Sequence, residues 1–128
     1  MFSHVTIGTH DLKRAIAFYD AVLAPLGIER VSSKYQNWAA WHRPGETMKL
    51  WVGLPFDGQP ASCGNGSMTA FAAPSRKAVD AAYAAAIASG GVDEGPPGPR
   101  AHYTPDYYGA YVRDLDGNKL HFVRRGEG

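Results

Sequence analysis

The segment HVTIGTHDLKRAIAFYDAVLAPLGIER, residues 4–30, decides the fold because it contains a complete strand-and-helix unit. Residues 2–9 are rich in β-branched side chains, which predicts a strand, and Asp11 is a favourable N-cap for a helix. Apolar residues then recur every three or four positions, which predicts an amphipathic helix that ends at Pro25 and Gly27. The segment therefore indicates a strand packed against a helix, the start of a layered structure.

A second copy of this unit follows in the same chain. Residues 67–91 align with residues 3–27 without a gap at a constant offset of 64 positions, which pairs Tyr19 with Tyr83 and Gly27 with Gly91. An internal repeat of this length predicts two similar structural modules.

The remaining segments complete each module. Short extended stretches are predicted at 29–33, 37–43 and 48–54, and again at 67–73, 108–113 and 119–124. The Asp-Gly-Asn sequence at 116–118 predicts a hairpin between the last two strands. Residues 55–66 read as a linker, and residues 91–108, with four prolines, read as a long functional loop.

Length and composition exclude several classes of protein. A chain of 128 residues is the size of one domain. Its net charge is +1 and its charged residues form no long run of either sign, which disfavours nucleic acid as a partner. No apolar run is long enough to span a membrane, and the N-terminus has no signal-peptide pattern, so we expect a cytoplasmic protein. The single cysteine, Cys63, lies in a loop-like composition and predicts no special chemistry.

Three segments resemble the vicinal-oxygen-chelate proteins, the superfamily of glyoxalases, bleomycin-resistance proteins and dioxygenases. Residues 4–30 resemble its opening, DLDGNKLHFV at 114–123 resembles its closing segment, and residues 90–114 resemble a bacterial subgroup. The resemblance implies one domain of α+β class over residues 1–128. Two tandem βαβββ modules, about 1–56 and 66–125, would form a curved, mixed eight-stranded sheet around a small-molecule cavity, with the helices outside.

The resemblance also implies a divalent metal (Zn, Ni, Mn or Fe) with four ligand positions, which fall here on His4, Trp51, Met68 and His121. Only the two histidines are good ligands, because tryptophan offers no lone pair and a thioether is soft and neutral. A catalytic site usually has three protein ligands, so two fall short. The sequence therefore favours a pocket with a degenerate metal site over a conventional metal centre.

Residues 100–108 concentrate side chains that could contact a ligand or supply a third metal ligand. We assign catalytic roles, as general acid or base, to His102, Tyr103 and Tyr108. The predicted ligand-binding residues share aromatic, thioether or cationic side chains: Trp41, Trp51, Met68, Arg100, Tyr107, Tyr111 and Arg113.

Two functions remain open from the sequence. One is a protein that acts on or binds a small, partly aromatic molecule in a cavity between the modules, without a conventional metal. The alternative is a metal-dependent lyase, isomerase or dioxygenase that uses His4 and His121 as ligands. In both cases the resemblance implies a homodimer, which would also cover exposed sheet edges.

Overall fold

The structure, a computed structural model, describes all 128 residues and repeats one order of elements twice. The first module contains β1 (His4–Gly8), α1 (Leu12–Leu23), β2 (Glu29–Val31), β3 (Trp38–His42) and β4 (Lys49–Gly53). The second module contains β5 (Thr69–Ala72), α2 (Arg76–Ala88), β6 (Val92–Pro99), β7 (Tyr107–Arg113) and β8 (Lys119–Arg125). The order βαβββ in each module confirms the predicted fold class.

Both helices begin at the residues that the sequence indicates. The Asp11 carboxylate accepts a hydrogen bond from the backbone N–H of Arg14 at 3.1 Å, and the Ser75 hydroxyl accepts one from the N–H of Ala78 at 3.0 Å. These caps satisfy backbone donors that have no partner within the first helical turn. α1 passes into a short 3₁₀ turn and ends at Gly27, whose φ of 74° favours glycine.

The eight strands divide into two four-stranded sheets. The strand orders are β1-β4-β3-β2 and β5-β8-β7-β6, with the first pair of each sheet parallel and the others antiparallel. β1 is therefore an edge strand of the first sheet and β5 an edge strand of the second, and no hydrogen-bonded pairing joins the two sheets. The modules are joined instead by their helices, which pack against one another, so a gap between the sheets is available for a cavity.

The core lies between the helices and one face of each sheet. Val22, Leu23 and Leu26 of the α1 region and Val79 of α2 are fully buried, together with Phe122 of β8. Alternate strand residues face this layer because successive side chains in a strand point to opposite sides. Residues of the other parity are free to form a site on the opposite face. Neither helix has the length and apolar composition needed to cross a membrane.

One predicted segment is wrong. Residues 92–99 form β6, whereas the proline content of residues 91–108 indicated a single long loop. β6 lies at the edge of its sheet, where a proline without an N–H costs no hydrogen bond to a neighbour on the outer side. Its pairing with β7 is irregular, with shifts of register near Gly95 and Gly98. The true loop is shorter, at residues 100–106.

The hairpin turn after β7 holds the two modules together. The buried Asp114 carboxylate accepts hydrogen bonds from the Tyr19 hydroxyl of α1, the Asn118 amide and two backbone N–H groups of the turn. Asn118 also donates to the Gly8 carbonyl at 2.9 Å. Asp116 accepts from the backbone N–H of His10 and from Thr9. The Asp-Leu-Asp-Gly-Asn sequence therefore joins the last hairpin to the end of β1.

Candidate functional site

Ten of the twelve predicted site residues fall in three places, and Tyr108 and Arg113 lie elsewhere. Most of the polar and aromatic ones lie together on the face of the second sheet that is turned away from the helices: Arg100, His102, Tyr103, Tyr107, Tyr111 and His121. Met68 and Trp41 border a cavity between the modules. His4 and Trp51 share the corresponding face of the first sheet, since His4 pairs with Lys49 and Thr6 with Trp51.

His121 is the centre of the first group, which we call the tyrosine–histidine cluster (Tyr103, Tyr107, Tyr111 and His121). Its ring stacks on Tyr111 with centroids 4.0 Å apart and planes 7° from parallel, and the centroid of the Tyr107 ring lies 5.7 Å from that of His121. His121 Nδ1 lies 2.9 Å from the Ala110 carbonyl oxygen. Because that oxygen can only accept, Nδ1 carries the proton, and Nε2 accepts from the Tyr107 hydroxyl at 2.7 Å.

The sheet register creates this cluster. Tyr111 is the cross-strand partner of His121, and Tyr107, Gly109 and Tyr111 share one face of β7. Gly109 is required beside the histidine because a Cβ at that position would lie 2.5 Å from His121 Cε1. The missing side chain gives the imidazole its space, and the ring is only 1 % exposed as a result.

Two members of the cluster, His121 and Tyr111, have shifted pKa values that keep them uncharged at neutral pH. Burial lowers the pKa of His121 below its ordinary value, and the positive charges of Arg100, Lys119 and Arg125 lower it further. Burial, followed by the neighbouring phenol of Tyr103, raises the pKa of Tyr111 to about 12. A neutral imidazole and a protonated phenol can each donate and accept hydrogen bonds.

Three cations lie close to the rings of the cluster. The Arg100 guanidinium and the Lys119 ammonium lie 5.7 and 5.4 Å from the centroid of the Tyr111 ring, and the Arg125 guanidinium lies 5.4 Å from that of Tyr107. None of them forms a salt bridge. Arg100 instead donates to the carbonyls of β6, including that of Pro96 at 2.7 Å. This face therefore carries positive charge over an aromatic layer.

The residues assigned catalytic roles do not share one environment. His102 and Tyr103 lie in the loop at the edge of the cluster, with ring centroids 4.2 Å apart, and Tyr103 is 4.9 Å from Tyr107. Tyr108 lies on the opposite face of β7 and donates to the Asp80 carboxylate of α2 at 2.6 Å. That hydrogen bond, and then burial, raise the pKa of Tyr108. Its position is therefore against the helix and away from His121.

Arg113 has a partner within the chain. Its guanidinium forms an ion pair with Glu94 of β6 at 2.8 Å and donates to the Gly117 carbonyl at 3.1 Å. These contacts stabilise the end of the hairpin. A ligand anion would have to compete with Glu94 for this side chain.

The metal ligands implied by the resemblance do not form a suitable set. No three side chains of His, Cys, Asp or Glu lie close enough together to hold one ion. His4 is exposed, with Nδ1 2.9 Å from the Ser3 hydroxyl, and the Nε2 lone pair of His121 is occupied by Tyr107. A divalent cation with one open position needs about three protein ligands. The donor set within the chain therefore does not fit a conventional metal centre.

A cavity of about 470 Å³ lies between the two modules. Its wall combines Val5 and Leu50 of the first module with Met68 and Phe71 of the second, and Met48 lies at its mouth. The polar rim is formed by His42, Arg43, Glu46 and Lys49. Sequence patterns did not single out Val5, Leu50 or Phe71, because a strand residue that lines a cavity has the same apolar character as one that fills the core.

Trp41 borders this cavity from within the core. The side chain is fully buried, its indole N–H donates to the Asp20 carboxylate at 3.0 Å, and its ring packs against Tyr19. Trp51 lies elsewhere and packs edge-on against Tyr35, with centroids 5.8 Å apart. Of the two predicted tryptophans, only Trp41 is therefore placed to report on the cavity.

The comparisons with known proteins agree with this architecture. The family model of the Glyoxalase/Bleomycin resistance protein/Dioxygenase superfamily matches residues 1–122. A crystal structure of a glyoxalase/bleomycin resistance protein from Albidiferax ferrireducens is 44 % identical, with a TM-score of 0.86, and the match covers 98 % of this chain and 99 % of that one. The chain belongs to the glyoxalase/bleomycin resistance protein/dioxygenase superfamily.

More distant structures share the fold alone. A glyoxalase/bleomycin resistance protein/dioxygenase family enzyme from Burkholderia phytofirmans is 19 % identical with a TM-score of 0.72, over 97 % of this chain and 98 % of that one. A glyoxalase-related enzyme from Fulvimarina pelagi is also 19 % identical, with a TM-score of 0.74, over 98 % and 88 %. No curated protein matches the chain. The superfamily fold hosts several chemistries, so the activity has to be argued from the site.

Proposed function

We propose that this protein binds a small, partly aromatic molecule in the cavity between its two modules. The observation that supports the proposal is the shared apolar wall, to which β1 and β4 contribute Val5 and Leu50 and β5 contributes Phe71. A volume of about 470 Å³ is within the usual range for small-molecule sites. An aromatic ring fits such a wall because aromatic surfaces gain most from burial against apolar and thioether side chains.

The polar residues at the rim of the cavity can orient a bound ligand. Lys49 and His42 can donate hydrogen bonds to a polar substituent of the ligand, whereas Arg43 is held by the Leu26 and Ala72 carbonyls at 2.9 and 2.7 Å. No pair of catalytic carboxylates faces the apolar wall, since Glu46 is the single acidic residue there. Binding is therefore better supported than turnover at this cavity, and the roles of His102 and Tyr103 stay predictions.

The test uses a neutral aromatic dye, N-phenyl-1-naphthylamine, followed by displacement with a library of aromatic metabolites. We expect saturable quenching of tryptophan fluorescence, because Trp41 borders the cavity. Met48→Arg places a charge at the mouth and should weaken dye binding about tenfold or more, while Phe56→Arg makes the same exchange at an exposed position of the linker and should have no effect. Equal affinities for the two variants, or no saturable binding to the wild type, would contradict the proposal.

A homodimer remains a prediction from the family resemblance. It is consistent with the unpaired edges of β1 and β5, because edge strands are commonly covered by a partner. Light scattering checks it directly, and a mass of 13.8 kDa at micromolar concentration would refute it.

A further inference from the structure

The strongest unexplained feature of the molecule is the positive charge around the tyrosine–histidine cluster. Arg100 and Lys119 approach the same ring, that of Tyr111, from positions 5.7 and 5.4 Å from its centroid. Neither has a carboxylate within salt-bridge distance, although four other arginines of the chain do. Both cations lie near one ring and neither is neutralised by a carboxylate, so an anion placed between them would gain Coulomb energy from both.

The nearby carboxylates are already engaged elsewhere. Glu94 pairs with Arg113, and Asp106 accepts a hydrogen bond from the Thr104 hydroxyl at 2.7 Å. Asp106 lies near Arg125, whose charge helps to lower its pKa. Arg125 is thus partly offset from within the chain, whereas Arg100 and Lys119 are not.

Arg100 keeps donors for a ligand. Its two terminal nitrogens donate to the carbonyls of Pro96, Gly98 and Pro99, which fixes the side chain along β6. At most three of the five N–H donors are used in this way. Gly95 allows the approach, because a Cβ there would lie 3.1 Å from the Tyr111 ring and 3.4 Å from Arg100. The guanidinium is therefore positioned in advance, which reduces the entropy lost on binding.

Space for a small anion lies next to Lys119. This residue borders a polar cavity of about 240 Å³ at the gap between the sheets, together with Thr6, Ser67 and Thr69. The hydroxyls of these residues are donors that suit an oxyanion, and Lys119 links this cavity to Tyr111, since its ammonium lies 5.4 Å from the centroid of that ring.

We propose that the tyrosine–histidine cluster binds a small aromatic carboxylate, with the carboxylate between Arg100 and Lys119 and the ring beside Tyr111. The same charges disfavour a divalent cation at His121, the position at which the superfamily resemblance implies a metal ligand. This corner of the site therefore recognises an anion directly, without a metal to bridge it. The smaller polar cavity shares Met68 and Thr69 with the 470 Å³ cavity, but Arg100, Tyr111 and Lys119 do not line the larger one, so the inference does not depend on the function proposed for that cavity.

The experiment compares benzoate with its neutral analogue benzamide by calorimetric titration at pH 7, with inorganic phosphate and Ni²⁺ as further probes. We expect the wild type to bind benzoate about tenfold more tightly than benzamide or phosphate, since only benzoate offers both charge and ring. Lys119→Met should weaken benzoate binding about fivefold to tenfold. Lys77→Met removes the same charge from the exposed surface of α2 and should change nothing.

Several results would overturn the inference. One is equal affinity for benzoate and benzamide; another is an equal effect of Lys119→Met and Lys77→Met. Tighter binding of phosphate than of benzoate would remove the aromatic part of the proposal. Stoichiometric Ni²⁺ binding that disappears in His121→Ala would restore the metal centre instead. Met48→Arg separates the two proposals, because it should weaken dye binding in the larger cavity about tenfold or more and leave the benzoate affinity unchanged.

Discussion

Trp51 and His121 occupy equivalent positions in the two modules, yet their surroundings differ completely. Each follows a Lys-Leu pair in the closing strand, in KLWV of β4 and KLHF of β8. Trp51 is half-buried and touches the exposed ring of Tyr35, whereas His121 is enclosed between two tyrosines. The difference shows that the two modules have the same order of strands and helix but different side-chain environments at equivalent positions.

The cause lies in the neighbouring strand. The cross-strand partner of Trp51 is Ala40, and that of His121 is Tyr111. Two residues earlier the sizes are reversed, because Trp38 of β3 corresponds to Gly109 of β7. In the first sheet the large Trp51 is therefore paired with the small Ala40. In the second sheet the small residue is Gly109, which leaves space for the His121 imidazole. Cross-strand pairs are the contacts that decide the stability and shape of a sheet face.

The largest expected effect concerns the turns that join the modules. Asp114→Ala should lower the free energy of unfolding by about 3 to 5 kcal/mol, because the Tyr19 hydroxyl and three N–H groups of the turn would lose a buried acceptor. Arg43→Met, in the corresponding turn of the first module, should cost only about 1 kcal/mol, since its hydrogen bonds to the Leu26 and Ala72 carbonyls and its ion pair with Glu46 are partly buried or exposed. Chemical denaturation measures the free energy of unfolding of both variants. Similar decreases would mean that the two turns contribute equally to stability.

A second expected effect concerns the space beneath His121. Gly109→Ala should destabilise the fold by about 1 to 3 kcal/mol, because the new methyl group would lie 2.5 Å from His121 Cε1. Gly98→Ala is the matched control in β6, where the nearest atom is the end of the Arg100 side chain at 3.3 Å. Thermal unfolding of both variants would test the comparison. An unchanged Gly109→Ala would show that the imidazole can move away freely.

The smallest expected effect is a dependence of stability on pH. The folded state lowers the pKa of His121 below its usual value of 6.5, so the unfolded chain binds the proton more readily. Stability should therefore be fully present above pH 6.5 and decrease as the pH falls below it. His121→Gln should flatten this part of the stability curve relative to the wild type, while His4→Gln, at an exposed position, should leave it unchanged. If the stability curves of the wild type and His121→Gln were parallel between pH 5 and 7, the lowered pKa of His121 would be contradicted.

Much of the fold followed from local chemistry. The Asp11 side chain suits an N-cap, and the conformational freedom of Gly27 suits a helix C-terminus. The Asp-Gly-Asn sequence favours a hairpin turn through its own backbone preferences. β6 was missed because its prolines are acceptable only at a sheet edge, and the edge position of a strand is a property of the whole sheet. Val5, Leu50 and Phe71 of the cavity wall were missed for the same kind of reason, whereas Met68 and Trp41 were predicted.

The sequence by itself determined the repeated strand-and-helix unit and the set of residues that could serve a site, because periodicity, caps and turn residues act over a few positions. Its motifs also resembled a superfamily built from two βαβββ modules. The tertiary structure alone decided which of those residues meet. His121 and Tyr111 are neighbours only through the β7–β8 register, Tyr108 is turned to α2, and Arg100 and Lys119 converge on one ring from different strands and loops. Contacts of this kind depend on strand order and parity, which no local pattern specifies, and they make His121 a hydrogen-bonded residue of an anion-attracting face.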